Sequence, residues 1–401
     1  MPKLPLEGIR ILDFCWLAAG PVTTRLLADL GAEVTKIESL QRLDRIREVG
    51  PQPASGASIN TNGLFHTCNA NKRSATINLN TGEGLDIVRE LVAESDIVSS
   101  NFTPNRMDRW GLGYDDLRKI RDDIIVLSMP VMGKVGPHAE WGSYGNGIVA
   151  MCGLGHLTGS PDREPVGLGT LHSDFTVPYL AALQSMAALY ERDQKGRGQF
   201  IEVAQYEAAT HLLDTELHEY LANGAEPPRL GNRSPHMAPH GVFPAAGDDR
   251  WVAIAVADAF EWQRLAMLIG RDDWASDPAL HDVDGRRAIE SEIESAIAAW
   301  TASQDPDECA ELLTGAGVPA APVWDIGDIA EKSAGAAGHF VRVPQGEIEI
   351  SIESEPALWD GERLPVHGAP SMGEHNDWLL HERLGRSEDD IAELFVKDVL
   401  S

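Results

Sequence analysis

Gly8-Ile-Arg-Ile-Leu-Asp-Phe14, then Pro21-Val-Thr-Thr-Arg-Leu-Leu-Ala-Asp-Leu-Gly31, then Glu33-Val-Thr-Lys-Ile37 is the stretch on which the fold turns. The first segment alternates and carries β-branched residues, which suits a strand. The second repeats apolar residues at helical spacing, opens on a proline and stops at a glycine, the usual asymmetry of helix ends. The third is again a strand. Two short strands joined through a helix imply parallel pairing with a right-handed crossover. The same order recurs with strands at 74–79, 96–99 and 124–129 and helices at 82–93 and 114–121, so the N-terminal part reads as α/β.

Further along, Val177, Leu180, Leu183, Ala187 and Tyr190 stand at helical spacing and predict a helix over 174–193. A glycine turn at 196–198, a strand through Val203 and a helix over 206–221 follow. Residues 223–240 are rich in Gly, Pro, Asn, His and Arg without any period, which marks a linker or functional loop. A second unit begins near Gly241 with a hairpin around Gly247-Asp-Asp249 and Trp251 to Val256 as one strand, then helices to about Gly315. Residues 335–370 read as loops with short strands, and 376–400 as helical.

At 401 residues the chain is long enough for two domains. Its net charge of −29 argues against nucleic acid or an anionic membrane as partner, since both need a basic face. No apolar run approaches the roughly 20 residues that span a bilayer, and the start of the sequence lacks a signal-peptide pattern, so the expected location is cytoplasmic. Cys15, Cys68, Cys152 and Cys309 show neither disulfide nor zinc spacing and are expected to be buried thiols.

Three places could carry chemistry. The strand-to-helix turn within Leu12-Asp-Phe-Cys-Trp-Leu-Ala-Ala-Gly-Pro21 is where α/β folds present backbone N–H groups to phosphates, although small residues there also serve tight packing. G-x-G-x-x-G is absent, so Glu38, at the end of the next strand, does not signal a dinucleotide site. Lys72 and Arg73 enter one strand, and Arg106, Arg109 and Trp110 leave another. These charges are either solvated surface or a local basic island for an anionic ligand, with Trp110 against a purine ring. Asp174 opens a long helix after Gly167-Leu-Gly169. It is either an N-cap or a carboxylate nucleophile approached through a glycine-rich segment, whose backbone N–H groups would stabilise charge.

Leu6-Glu-Gly-Ile-Arg-Ile-Leu-Asp-Phe14 with Ala19-Gly-Pro21, Leu30-Gly-Ala-Glu-Val-Thr-Lys-Ile-Glu38, Asn71-Lys-Arg-Ser74, Asn101-Phe102, Met107-Asp-Arg-Trp-Gly-Leu-Gly113, Ser173-Asp174, Gly196-Arg-Gly-Gln199, Gly317-Val-Pro-Ala320 and Ala369-Pro-Ser-Met-Gly-Glu-His375 occur in one order along nearly the whole chain. This ordered set resembles the class III CoA-transferase family, and its variants resemble the benzylsuccinate-type branch. The resemblance implies a Rossmann-like large domain built from both chain ends (1–224 and 331–401), a smaller α+β domain (225–330) and an interlocked homodimer. A heteromer with a related chain is the other arrangement it allows. It implies acyl-CoA and a carboxylic acid as substrates, no prosthetic group, and an aspartyl-CoA thioester on Asp174. It places Leu17, Ala18, Ala19, Lys72, Arg73, Asn101, Phe102, Arg106, Arg109 and Trp110 around the CoA.

Two departures bear on the substrate. Leu17 stands where some members carry Gln, so that side chain's help in orienting the acyl group is not expected. Asn232-Arg-Ser-Pro-His-Met-Ala-Pro-His-Gly241 replaces a glycine loop, a variant that with Ser143-Tyr144-Gly145 resembles the benzylsuccinate-type branch and implies an acid bulkier than formate. The alternatives are an α-methylacyl-CoA racemase, whose Gly-His-Asp motif would fall on Ser143-Tyr144-Gly145, and a non-catalytic partner subunit.

Overall fold

The computed structural model describes residues 3–54, 56–333, 339–345 and 348–401. Over these residues the chain divides into two compact units. The first is drawn from Met1–Gly155, Gly167–Ala225 and Gly338–Ser401, the second from His156–Val166 and Glu226–Ala337.

The first unit runs β1 (Arg10–Asp13), α1 (Ala19–Asp29), β2 (Glu33–Glu38), α2 (Gly63–Asn69), β3 (Arg73–Thr76), α3 (Gly82–Ala93), β4 (Ile97–Ser100), α4 (Arg106–Arg109), α5 (Tyr114–Ile120), β5 (Ile125–Ser128), α6 (Gly145–Met151), a single turn α7 (Leu154–Leu157) whose last two residues are assigned to the second unit, α8 (His172–Lys195), β6 (Phe200–Glu202), α9 (Gln205–Thr210) and α10 (Asp214–Asn223). Its six strands lie in the order β3-β2-β1-β4-β5-β6, every neighbouring pair parallel. The two-residue period divides each strand between two cores. Ile11, Ile97 and Ile125 face one side with Leu27 of α1 and Val177, Ala181 and Leu189 of α8. Leu12, Val98 and Val126 face the other with Ile87 and Leu91 of α3 and with Leu379, Leu380, Val399 and Leu400 from the end of the chain. With both faces covered, the five strands β1 to β5 are buried along nearly their whole length, apolar residues alternating with buried polar ones such as Asp13, Lys36, Glu38 and Ser99.

The C-terminal residues also close the sheet edge. β3 would otherwise leave a row of unpaired groups, a pairing hazard. Here Ser74 O accepts from the His375 N–H at 2.9 Å, the Thr76 N–H donates to Asn376 Oδ1 at 2.8 Å, and Thr76 Oγ1 donates to Leu400 O at 2.9 Å.

Local departures from the sequence reading have simple causes. The helix expected over 206–221 is broken by a 3-10 turn at His211–Leu213 into α9 and α10. The helical stretch 376–400 is interrupted at Gly385, whose φ of 67° favours glycine, between a π-helical turn (Trp378–Arg383) and a helix over Glu388–Val396. Of the stretch 335–370, residues 335–338 and 346–347 lie outside the described residues, and the remainder holds two small antiparallel ribbons, Phe340–Gln345 with Ile348–Glu353 and Leu358–Trp359 with Glu362–Arg363.

The second unit holds a three-stranded antiparallel sheet of β7 (His240–Pro244), β8 (Trp251–Ala255) and β9 (Ala320–Val323). The expected hairpin is present, with Pro244 opposite Trp251, whereas β9 has no counterpart in the sequence reading. Helices including Ala259–Leu268, Glu290–Thr301 and Pro306–Gly315 bury Trp262, Leu265, Ile293, Ile297 and Leu313 with Val252 and Ile254. All four cysteines are free and buried. No described helix is long and apolar enough to cross a membrane.

Candidate active site

Strand order reverses between β1 and β4, and open parallel sheets form their binding crevice at the carboxyl ends of the strands beside such a point. A cavity of about 660 Å³ lies there. Its walls follow the sheet in spatial order: Asn78 after β3, Arg42 after β2, Leu17 after β1, Asn101 after β4, Val131 after β5 and Gln205 after β6, with Asp174 and Gly145 beside the last two.

The turn after β1 is held in a conformation it would not choose alone. Leu17 has φ 62°, a left-handed geometry that costs a branched residue about 1–2 kcal/mol. The Trp16 N–H donates to Asn101 Oδ1 at 2.9 Å and Asn101 Nδ2 donates back to Trp16 O at 2.8 Å. The Leu17 N–H donates to Asp44 Oδ1 at 3.0 Å, and the Cys15 N–H to Asp13 Oδ1 at 2.9 Å. Lys36 Nζ donates to Cys15 O at 2.6 Å and to Asp44 Oδ2 at 3.0 Å. At roughly 1 kcal/mol net for each bond, this set outweighs the strain.

Beneath the turn, Lys72 donates to Asp13 Oδ2 at 3.0 Å, to Pro21 O and to Asn69 Oδ1. Burial acts against the charged form of Asp13, but Lys72 and Lys36 prevail and hold its carboxyl below the ordinary value. Burial lowers Lys72 in turn. Lys72 is therefore a structural counter-ion sealed under the turn and does not reach the cavity. Arg73 also lies elsewhere: it pairs with Glu33 and its guanidinium sits 3.8 Å from the Trp378 ring centroid. Arg109 is exposed and does not line the cavity. Glu38 is taken up by Arg47, which donates to both its oxygens at 2.8 and 2.6 Å.

The other predicted residues do come together. Leu17, Ala18, Ala19, Asn101, Phe102, Arg106, Trp110 and Asp174 all line the cavity. Phe102 stands edge-on between Trp16 and Trp110, with centroids at 5.5 and 5.9 Å, while Arg42 lies 5.3 Å from the Trp16 ring and Arg106 5.6 Å from Trp110. Arg42 and Arg45 were not singled out in the sequence. Among the described residues, neither they nor Arg106 form an ion pair with a carboxylate. Three uncommitted guanidinium groups on a chain of net charge −29 make the basic island, drawn largely from a segment that carried no motif.

Asp174 is the third residue of α8, because the helix begins at His172 with Leu171 at its N-cap. It therefore does not cap the helix. Its carboxylate instead accepts the Gly145 N–H from the start of α6, and burial raises its pKa to about 6 against that single donor. The fit is close: a Cβ on Gly145 would stand 1.9 Å from Asp174 Oδ2. Ser173 Oγ, donating to Gly145 O at 3.2 Å, ties the same two elements. The glycines at 167 and 169, expected to face the carboxylate, do not line the cavity, and Gly145 takes that place.

A cavity at the switch point of a parallel sheet does not by itself name a reaction, and comparison with known proteins does. The model of CoA-transferase family III matches residues 6–376, and the chain belongs to that family. Succinyl-CoA–D-citramalate CoA-transferase of Chloroflexus aurantiacus is 31% identical, the alignment covering 100% of this chain and 99% of the relative. The Succinyl-CoA–L-malate CoA-transferase beta subunit of the same organism is 32% identical over 99% of this chain and 98% of its own. Among solved structures, a CAIB/BAIF family protein from Brucella suis superposes with a TM-score of 0.86 at 31% identity, covering 95% of this chain and 99% of that one. The protein is thus an acyl-CoA:carboxylate CoA-transferase that uses CoA thioesters as substrates.

Proposed function

We propose that Asp174 is the nucleophile of this transfer and carries the CoA as an aspartyl thioester. The observation that bears most weight is its setting: a carboxylate raised by burial to about 6, with one N–H donor, in the cavity that also presents three unpaired arginines. A carboxylate short of hydrogen bonds is less stabilised as an anion and more ready to attack than a solvated one. It attacks the thioester carbonyl carbon, forming an acyl–aspartyl anhydride and breaking the C–S bond to release CoA thiolate. The thiolate attacks the Asp174 carbonyl carbon, giving the aspartyl-CoA thioester and freeing the donor acid as its carboxylate. The acceptor carboxylate then runs the two steps in reverse. One thioester exists at each resting stage, so no external energy source enters. The Gly145 N–H is placed to hold negative charge as it moves between oxygens.

Arg42, Arg45 and Arg106 are assigned to the CoA phosphates, Trp110 to its purine ring, and the Leu17–Ala19 turn to the pantetheine arm. Lys72 and Arg73 have no part in this reading, and Arg109 acts at most from outside the cavity. The named relatives suggest succinyl-CoA as donor and a short dicarboxylic acid, bulkier than formate, as acceptor. Among the described residues no histidine lines the cavity, which counts against the racemase alternative. We also assign an intertwined dimer: α8 exposes Tyr179, Leu183 and Tyr190, and α10 buries no residue while exposing Leu217, Tyr220 and Leu221, a pattern of partner-covered surface. The beta-subunit relative keeps a heteromer in view. Incubating the purified chain alone with succinyl-CoA and a panel of acids, read by mass spectrometry, should yield new acyl-CoA products. A chain inactive with every acid until a second polypeptide is added would mark it as one member of a pair.

A further inference from the structure

Gln205 is the first residue of α9, and its side chain is a buried amide in the cavity wall with one of its two ends committed and the other not. Its backbone N–H donates to Pro130 O at 3.1 Å and its Nε2 donates to Met129 O at 2.7 Å. A carbonyl oxygen only accepts, so this bond fixes the amide orientation and turns Oε1 away from Met129. Among the described residues no donor meets Oε1, yet it is not one of the sealed, partnerless polar atoms. The residue is 4% exposed and lines the cavity, so that small opening faces the cavity.

The surroundings narrow what could meet it. α6, α8 and α9 pack on one another, which puts Gln205, Gly145 and Asp174 at the starts of three contacting helices. The other walls near this end are Leu17, Val131 and Leu171 together with Ser143, whose Oγ donates to Tyr144 O at 3.2 Å, and Tyr144, and the arginines belong to the segments after β2 and β4. A fixed acceptor in such a chamber is left unpaired by a plain hydrocarbon chain and repels a carboxylate. A hydroxyl satisfies it without bringing in charge.

We infer that Gln205 Oε1 accepts a hydrogen bond from the acyl chain of the substrate, and that the acid this enzyme transfers CoA to or from is a hydroxy acid. The inference rests on the assignment of Asp174 as nucleophile, which puts the acyl group in this chamber. Gln205 is thereby a specificity residue, and its loss should alter choice between acids more than the transfer itself.

The test compares matched acceptors, glycolate with acetate, malate with succinate and citramalate with methylsuccinate, using one CoA donor, in the wild type and in Gln205→Met, a swap of similar volume. In at least one pair the wild type should favour the hydroxylated member by about 10- to 100-fold in kcat/KM. Gln205→Met should bring that ratio to within about 3-fold of unity, by losing activity toward the hydroxy acid alone, with CoA affinity unchanged. Equal loss toward both members would mean that Gln205 only supports the fold, and would overturn the inference. So would wild-type preference for the deoxy acid in every pair, or a stronger preference for aspartate than for malate. The wild-type ratios require no variant and decide the matter even if Gln205→Met is unstable. Adduct formation on Asp174 without hydroxyl preference refutes the inference alone, whereas absence of any adduct refutes the nucleophile assignment beneath it.

Discussion

From the Cys15 N–H to the Leu17 N–H, each successive backbone group of the turn after β1 meets a side-chain partner, while the Asp174 carboxylate in the same cavity meets one N–H, that of Gly145. The first wall is over-determined: buried Lys36–Asp44 and Lys72–Asp13 pairs stand behind a strained loop and fix its shape before any ligand arrives. The second is under-supplied, and its carboxylate is correspondingly high in energy. With Asp174 proposed as the nucleophile and the turn as a binding surface, the difference separates two tasks. A surface that only recognises gains from being rigid, whereas a group that must react gains from being poorly solvated and able to exchange partners.

The contrast can be broken most severely at Asp174. Asp174→Asn keeps the shape and removes the attacking charge, so turnover should fall by about 10³-fold or more, with CoA affinity within about 2-fold of wild type by calorimetry. Its stability should not fall. The folded pKa of about 6 lies above the ordinary 3.8, so the ionised carboxylate costs stability above about pH 6, a cost lost as pH drops below the unfolded value. Thermal melts at pH 8 should therefore place the Asn variant at or above wild type, and a clear drop would show that Asp174 is a stabilising group.

Gly145→Ala puts a methyl where Oδ2 now sits. Displacing the carboxylate should cost about 10²-fold in kcat while leaving CoA binding intact, and a neutral result would deny the contact any role. The pH dependence sharpens the same point. Only the ionised form attacks, so kcat/KM should fall about tenfold per unit as pH drops below about 6, and an acidic limb centred near 4 would mean an ordinary, solvated carboxylate. Smaller effects belong to the mouth. Arg42→Ala and Arg106→Ala should each weaken CoA binding by about 3- to 10-fold, more at low salt, since these groups are at least partly open to water. Lys195→Ala, paired with Glu191 on the surface, should change nothing, and equal effects from all three would remove the basic island from the account.

How far the sequence foretold these walls depended on the range of the interaction. The β1–α1–β2 unit was legible because its periods are local, whereas Asn101 and Phe102 were singled out only by the family resemblance, since neither carries a local signal. Asp174 was legible as the head of a long helix, but not its partner, since nothing near Gly145 in sequence points to a carboxylate far downstream. Lys72 and Arg73 misled for the same reason: each looks like a free basic group until the fold sets Asp13 against one and Glu33 and Trp378 against the other. Arg42 and Arg45 sit in an aperiodic segment between β2 and a 3-10 turn, where exposed arginine usually means solvated surface. Gln205 was hidden because a glutamine at a helix start carries no signal of its own. Only the Met129 carbonyl, reached through the sheet, turns its oxygen outward.

The central claim is that CoA passes through Asp174, and trapping the intermediate tests it without any variant. Wild-type protein incubated with succinyl-CoA and no acceptor, then treated with hydroxylamine and digested, should give a peptide containing Asp174 with that residue converted to its hydroxamate, in an amount that rises with acyl-CoA and disappears when acceptor acid is added first. Modification of a different carboxylate, or a product-forming enzyme with Asp174 unmodified throughout, would contradict the account.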